Sequence, residues 1–242
     1  RIRKIDESGY ISTIVGNGAA GYSGDEGPAV NAKINTPIGV AYDKDGNLYI
    51  ADAYNNVVRV VNGQGIIKTF AGNGFGAGHY LGGGYSGDGG MADTAQIGTN
   101  DGQIVFDRFG NLYIANRRIR KISTTGIIST IAGNGSPVFS GDGGPATAAQ
   151  IWGGSVATDA AGNLYISDWY NGRIRKVNTS GIISTYAGNG AGSFGGDGAA
   201  ATAAQMNHPT GVSMDLSGNL YIADYNNQRI RKVITSGIIS TY

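Results

Sequence analysis

The chain has 242 residues, a formal net charge of +1, 14% charged residues and no cysteine. This balance excludes the basic field that attracts nucleic acid or an anionic membrane, and the lack of cysteine excludes disulfides, thiolate metal sites and cysteine nucleophiles. No apolar run approaches the roughly 18 residues of a membrane span, so we expect no membrane insertion. The 43 glycines recur at fixed places and therefore indicate turns, not disorder.

A basic run, Arg-Ile-Arg-Lys-Ile, opens the chain at residues 1–5. It recurs in nearly the same form at 118–122, 173–177 and 229–233, with a decayed copy at 57–61. Each copy leads through a short polar turn into an apolar, β-branched run such as residues 182–186. Both runs have the length and composition of β-strands, and the gap between them is typical of a hairpin.

A long glycine-rich segment follows each hairpin, as at residues 132–145, and ends in an alanine-rich stretch such as 146–151, where we predict one helical turn. A third run, such as Gly-Val-Ala at 39–41, comes next. It is joined by an Asp-x-x-Gly-Asn turn to a heptad, Gly-Asn-Leu-Tyr-Ile-Ala-Asp. The heptad occurs four times, with small changes, starting at Gly46, Gly110, Gly162 and Gly218. Aspartate accepts backbone hydrogen bonds and glycine supplies a positive φ, so this turn is typical of a β-hairpin.

Each unit thus contains four predicted antiparallel strands: a (Gly-Val-Ala), b (Leu-Tyr-Ile-Ala), c (Arg-Ile-Arg-Lys) and d (Ile-Ile-Ser-Thr). Repeated four-stranded sheets are typical of a β-propeller. We predict one all-β propeller domain, residues 1–242, with four full units and an N-terminal half blade. The expected units are 1–56, 57–117, 118–172 and 173–228, with 229–242 repeating the strand pair of 1–14.

Two interpretations of the duplicated ends stay open. The chain begins inside a motif, which favours a segment of a larger ring or array. Alternatively, the spare strand pair docks into another molecule.

The motifs resemble those of the NHL-repeat β-propellers, of the bacterial type and similar to the repeats of teneurin-like surface proteins. The resemblance rests on Pro209-x-Gly211, on the turn and heptad of residues 215–224, and on Asn227-x-Arg229 with the basic run that follows. It covers essentially the whole chain and implies the fold and an extracellular or cell-surface location. The third copy departs from the pattern, because it lacks three residues between Asn116 and Arg118 and has residues 98–102 in place of Pro-x-Gly. The second copy carries an insertion near residues 75–85.

In such a blade the b–c and d–a connections emerge on the same face. This arrangement brings aromatic and amide side chains beside the glycine-rich loops, and rings with a polar tip suit protein or carbohydrate surfaces. The predicted ligand-binding residues are Tyr54, Trp169, Tyr170, Asn171, Tyr225 and Asn226. The alternative interpretation is that these rings pack over their own loops.

One aspartate recurs in each glycine-rich loop: Asp25, Asp88, Asp142 and Asp197. A calcium site is one interpretation, but the loops lack a spaced Asp-x-Asp-x-Asp-Gly pattern, so an Asx-turn is favoured. A phosphate cradle is rejected because no Gly-Lys-Ser/Thr follows. The basic runs are interpreted as solvated blade edges with Arg–Asp pairs, not as a basic patch.

The sequence therefore favours a non-catalytic, extracytoplasmic scaffold for protein or glycan interaction, with self-association through the duplicated strand pair as a variant. The alternative is a metal-dependent lyase or hydrolase with its site at the propeller axis. Such chemistry needs clustered histidines, whereas His79 and His208 occupy non-equivalent positions without an evident partner. We predict no catalytic residue, metal site or cofactor.

Overall fold

The computed structural model describes residues 1–79, 83–98 and 103–242. Its contacts group the chain into two compact units, Arg1–Phe106 with Ile122–Ser129 and Asp107–Lys121 with Thr130–Tyr242. Within the described ranges the helices are short 3-10 turns, and none is long and apolar enough to cross a membrane. The single domain spanning 1–242 stays a prediction.

The described residues form short strands throughout. The first seven are β1 (Ile2–Ile5), β2 (Ile11–Val15), β3 (Gly27–Pro28), β4 (Pro37–Tyr42), β5 (Leu48–Asp52), β6 (Val57–Val61) and β7 (Ile66–Ala71). The next four are β8 (Ile104–Phe106), β9 (Leu112–Ile114), β10 (Ile119–Ile122) and β11 (Ile128–Ala132). The last eight are β12 (Gly153–Thr158), β13 (Leu164–Asp168), β14 (Arg173–Val177), β15 (Ile183–Ala187), β16 (Pro209–Met214), β17 (Leu220–Asp224), β18 (Arg229–Val233) and β19 (Ile239–Thr241).

These strands confirm the predicted a-b-c-d blades. Consecutive antiparallel strands form the first blade (β4–β7), the second (β8–β11), the third (β12–β15) and the fourth (β16–β19), and β1–β2 form the half blade. Strands b and c pair without a break in register in the first, third and fourth blades. Strands c and d of the third blade carry a bulge between Ile174 and Arg175. The fold is thus all-β and built of propeller blades, as the repeats indicate.

The a–b turn of each blade is fixed by its first aspartate, as predicted from the Asp-x-x-Gly-Asn motif. In the third blade, Asp159 Oδ1 accepts hydrogen bonds from the backbone N–H of Ala161 and Asn163, each at 2.9 Å, and Oδ2 accepts one from Asn163 Nδ2 at 2.7 Å. Gly162 supplies the positive φ of 90°. This Asx-type turn sets the register of the hairpin and leaves the following tyrosine of strand b in a fixed position.

The long d–a loops attach to the outer strand of the blade that follows them. In the loop before the third blade, the N–H of Ala146 bonds the carbonyl of Gly181 at 2.8 Å, and the N–H of Gly143 bonds that of Ile183, also at 2.8 Å. A β-strand at a sheet edge carries unpaired backbone groups. The loop therefore satisfies part of the outer edge of β15.

The alanine-rich end of three loops forms the predicted helical turn, at Ala29–Asn31, Ala146–Ala148 and Ala201–Ala203. A glycine makes the close approach behind it possible. Gly141 has a φ of 93°, and a Cβ at this position would lie 2.7 Å from the Cβ of Ala149. The Ser-Gly-Asp-Gly-Gly-Pro-Ala motif thus encodes a loop that folds back on itself.

Each compact unit has its own apolar core, made of alanines from these loops and β-branched or sulfur-containing side chains from the strands. In the first unit the core includes Val15, Ala29, Ile34, Ile50 and Ile67. In the second it includes Ile174, Ala187, Ala201, Met206 and Ile222. The loops are therefore part of the packing as well as connections, which bears on what their polar residues do.

Candidate interaction site

The b–c connection of three blades is a 3-10 turn: Ala53–Asn55, Trp169–Asn171 and Tyr225–Asn227. Each turn ends at a residue with a positive φ, namely Asn56, Gly172 or Gln228. These turns carry all the predicted ligand-binding residues. Tyr54 belongs to the first unit and the others to the second, so the two groups are described separately.

A buried aspartate at the end of strand b anchors each turn. In the third blade, Asp168 accepts a hydrogen bond from Asn171 Nδ2 at 2.7 Å and another from the N–H of Trp152 at 2.8 Å. Asn171 Nδ2 also donates to the carbonyl of Pro137 in the adjoining loop, at 3.3 Å. This contact confirms that the b–c and d–a connections lie together. It also means that the amide of Asn171 serves the scaffold.

The same anchor recurs in the first blade at Asp52 and Asn55 and in the fourth at Asp224 and Asn227. In each blade the backbone N–H at the end of the preceding loop donates to the same carboxylate, at 2.6 Å from Asn35 and 2.8 Å from Asn207. Three turns of different sequence are thus held by one hydrogen-bond pattern.

Behind each anchor lies an arginine of strand c whose side chain is fully buried. Arg175 donates to the loop aspartate Asp142 at 2.5 Å and lies 3.4 Å from Asp168. Thr185 Oγ1 donates to the second oxygen of Asp142 at 2.7 Å, and the guanidinium carbon lies 4.6 Å from the centre of the Phe139 ring. A desolvated guanidinium needs such partners on several sides.

Equivalent contacts surround the other buried arginines, Arg59 with Asp25 and Asp52 and Arg231 with Asp197 and Asp224. The predicted Arg–Asp pairs are therefore confirmed. The idea that this arginine lies on a solvated edge is wrong, because its side chain is fully buried in all three blades.

The favoured Asx-turn interpretation of the loop aspartates is wrong for Asp25, Asp142 and Asp197. Their carboxylates bond an arginine and a threonine of the following blade instead of their own turn. In the third blade a guanidinium bonds one carboxylate oxygen and a threonine hydroxyl bonds the other. Burial opposes ionisation of Asp142, but hydrogen bonds from Thr185 and Arg175 and the arginine charge outweigh it and lower the pKa of this carboxyl.

The second unit gathers an aromatic cluster on its b–c turns, formed by Trp152, Trp169, Tyr170 and His208. The Trp152 and Tyr170 ring centres lie 4.5 Å apart, and those of Trp169 and Tyr170 lie 4.4 Å apart. The His208 ring lies 5.6 Å from that of Trp169 and 5.4 Å from that of Tyr170. Tyr170 keeps 55% of its surface exposed. The cluster is thus packed at its base and open at Tyr170.

His208 joins this cluster to the turn of the fourth blade. Its Nδ1 lies 2.7 Å from Asn207 Oδ1 and 2.9 Å from Asn226 Nδ2, and its backbone adopts a positive φ of 53°. The neighbouring Tyr225 is 65% exposed. The expectation that His208 lacks a partner is therefore wrong, because its ring contacts both the adjacent Asn207 and Asn226, which lies 18 residues further along the chain.

Of the six predicted residues, the structure brings Trp169, Tyr170 and Asn226 together through His208, with Tyr225 beside Asn226 in the same turn. Sequence reasoning missed Trp152 and His208. Trp152 stands where the first and fourth copies have Asn35 and Asn207, whose N–H groups bond the equivalent aspartates, and this exchange was the available signal. Arg117 also escaped attention; its guanidinium carbon lies 4.4 Å from the centre of the Trp152 ring.

The described ranges contain no group of three or more histidine, cysteine, aspartate or glutamate side chains placed to hold a metal ion. His79 is exposed and lies in the first unit. Ser155 of strand a is fully buried, and its hydroxyl lies 3.4 Å from the backbone nitrogen of Val212 in the fourth blade. Ser155 therefore contributes to the contact between two blades of the second unit.

The antiparallel a-b-c-d blades, their shared turn chemistry and the loop that attaches to the next blade define a repeat protein of the β-propeller class. The family model of the Teneurin NHL domain matches residues 19–78 and 190–242. Teneurin-1 of Mus musculus is 28% identical over 237 residues, covering 88% of this chain. These matches support assignment of the chain to the NHL-repeat family. The chain spans 8% of the length of that relative.

Solved structures with the same fold include a nidogen/laminin complex, at a TM-score of 0.57, 16% identity and coverage of 95% of this chain and 65% of the other. They also include virginiamycin B lyase from Staphylococcus aureus, at a TM-score of 0.55, 16% identity and coverage of 99% and 61%. At these identities the similarity establishes the fold alone.

Proposed function

We propose that the chain is a non-catalytic, extracytoplasmic interaction module that binds a protein surface through the b–c turns of its second unit. The observation that carries this proposal is the aromatic cluster around Tyr170, with Tyr225 exposed in the neighbouring turn. Rings with a polar tip and a rigid base bind protein surfaces at low entropic cost, and such residues often dominate interface energetics.

The electrostatics of the turns support recognition over catalysis. The aspartates nearest the turns are buried and engaged by asparagine, backbone and arginine donors, as at Asp168. The polar groups of the turn that reach the surface are the phenol of Tyr170 and, in the next blade, those of Tyr225 and Asn226. These groups can donate and accept hydrogen bonds.

The extracytoplasmic location rests on the match to the Teneurin NHL model and on the resemblance to surface repeat proteins. A carbohydrate partner uses the same aromatic chemistry, so the experiment must separate the two. We expect a display library of extracellular protein domains to yield a binder whose affinity falls about tenfold or more with Tyr170→Ala or Tyr225→Ala. The matched control is Leu216→Ser. Leu216 is fully exposed in the a–b turn before β17, at the opposite end of that strand from Tyr225.

Binders whose affinity is unchanged by both Tyr170→Ala and Tyr225→Ala would refute the proposed interaction site. A glycan array that gives tyrosine-dependent binding, with no protein binder, would replace the protein partner by a carbohydrate.

A second candidate function, self-association, is favoured by one observation on the half blade. Arg3 of β1 is exposed, whereas its counterparts Arg59, Arg175 and Arg231 are fully buried under a loop aspartate. We propose that a second copy covers this strand pair. Light scattering over a roughly hundredfold concentration range should then show a rising mass that Arg3→Glu lowers. A constant monomer mass would refute self-association and leave the interaction site untouched.

A further inference from the structure

A cleft of about 470 Å³ opens in the second unit, at the ends of the strands where the a–b and c–d turns lie. Its lining includes Phe109, Tyr113, Lys121, Ile131, Thr147 and Thr179. The aromatic cluster of the b–c turns contributes no residue to it. The cleft is therefore separate from the proposed interaction site, and its chemistry is considered independently.

The cleft lies where the other blades place an aromatic ring that the second blade lacks. In the other blades an aromatic residue of strand d, or the residue directly after it, packs edge-to-face against the strand-b tyrosine. These pairs have ring centres 4.8–5.0 Å apart: Tyr49–Phe70, Tyr165–Tyr186 and Tyr221–Tyr242. The second blade has Tyr113 on strand b but Ile131 at the equivalent position of strand d. The smaller side chain leaves part of that place unfilled.

Lys121 of strand c lines the same cleft. Its counterparts lie over the strand-b tyrosines, with Lys176 Nζ 5.3 Å from the centre of the Tyr165 ring and Lys232 Nζ 5.2 Å from that of Tyr221. These two contacts show that the repeat places an ammonium group beside an aromatic pair. In the second blade, Lys121 and a single tyrosine, Tyr113, line the same cleft.

The one carboxylate in the lining is already satisfied. Asp107 Oδ1 accepts hydrogen bonds from the N–H groups of Phe109 and Asn111, each at 2.9 Å, and Oδ2 accepts one from Asn111 Nδ2 at 2.7 Å. Tyr113 donates its hydroxyl proton to Oδ2 at 3.2 Å. With Asp107 engaged in its own turn, the ammonium group of Lys121 is the charge that the cleft offers to a ligand.

We propose that this cleft binds a small aromatic carboxylate, whose ring takes the place of the missing strand-d aromatic beside Tyr113 and whose carboxylate pairs with Lys121. The exposed ring of Phe109 and the hydroxyls of Thr147 and Thr179 complete a lining that is apolar with a few polar groups, as in most small-molecule sites. The sister blades supply the pattern, because each of them fills this place with its own ring.

The test uses para-hydroxyphenylpropionate, which joins the tyrosine ring to a carboxylate, titrated into the full chain by calorimetry. We expect saturable binding at one site. Ile131→Tyr, which restores the ring that three blades carry, should weaken binding by about tenfold or more. Ile127→Tyr adds the same ring to the c–d turn just before β11, outside the cleft lining, and should bind as the unmodified chain does. Lys121→Met should weaken binding of the acid and leave that of neutral para-ethylphenol unchanged.

Thermal unfolding first confirms that each variant is folded. If the Ile131→Tyr variant does not fold, the binding of the acid to the Lys121→Met variant tests the proposal instead. Absence of saturable binding would overturn the proposal, and so would equal affinity of the Ile131→Tyr variant. If Lys121→Met weakened the binding of the acid and of para-ethylphenol equally, the pairing of the carboxylate with Lys121 would be overturned. None of these outcomes depends on Tyr170 or Tyr225, so failure here is distinguishable from failure of the protein-interaction site.

Discussion

Replacing Tyr165 by alanine is expected to destabilise the second unit by about 3–5 kcal/mol, the usual cost of emptying a buried aromatic site. The Tyr165 side chain on β13 is only 5% exposed. Its ring packs edge-to-face with that of Tyr186 at 4.8 Å, and Lys176 lies 5.3 Å from its centre. An aromatic pair of this kind contributes roughly 1 kcal/mol beyond the area that it buries.

The hydroxyl of Tyr165 is the smaller part of this effect. It donates to Asp159 Oδ2 at 3.1 Å, and Asp159 keeps its other hydrogen bonds when this one is removed. Tyr165→Phe should therefore cost about 1 kcal/mol. Burial and the Asp159 charge both raise the pKa of Tyr165, so the phenol stays protonated throughout the assay.

Both variants can be compared by urea unfolding followed through tryptophan fluorescence. The two tryptophans, Trp152 and Trp169, lie in the second unit, so the signal reports the unit that contains Tyr165. A single transition with an unchanged slope is required before free energies are compared. A loss below about 1 kcal/mol for Tyr165→Ala would refute the packing argument. Equal losses for the alanine and phenylalanine variants would assign the stability to the hydroxyl instead of the ring.

Two further predictions concern the loop before the third blade. Asp142→Asn should destabilise the chain near neutral pH, because it removes the ion pair with Arg175. The folded state lowers the pKa of Asp142 below its unfolded value of 3.8. The pair therefore contributes its full stability above pH 3.8 and loses it as the pH falls through the folded pKa. The deficit measured by urea unfolding should therefore shrink as the pH falls below 3.8, and a deficit independent of pH would contradict the ion pair. Gly141→Ala should lower the melting temperature more than Gly181→Ala. Both glycines have a positive φ, but only at Gly141 would a Cβ meet another side chain, that of Ala149. Equal melting temperatures of the two variants would show that the loop adapts.

The strands and turns could be predicted from the sequence because their signals are local. The Asp-x-x-Gly-Asn turn, for example, is complete within residues 159–163, and its hydrogen bonds match the motif. The role of Asp142 could not be predicted in the same way. Its partner Arg175 is 33 residues away, and the sequence does not show which residue of an Arg-x-Arg run is buried against a loop.

The candidate site was predictable only in part, for a similar reason. Its aromatic turns follow directly from the heptad, so Trp169, Tyr170 and Tyr225 could be named. Their meeting with His208 depends on the end of another loop, at a residue with positive φ that no local pattern required. The sequence has Ile131 where three other copies have an aromatic residue, but it does not show that those aromatic rings pack against a tyrosine.

The internal repeats separate one constant position from two variable positions within each b–c turn. The third residue is asparagine in all three turns, where it bonds the buried aspartate, as Asn171 does with Asp168. The first two residues differ, being Ala-Tyr, Trp-Tyr and Tyr-Asn in the first, third and fourth blades. A residue held constant by its hydrogen bond cannot vary with the partner, whereas the two before it can change without loss of the anchor. We therefore expect binding specificity to depend on those two positions, and the proposed interaction site is tested at Tyr170 and Tyr225 and not at the asparagines.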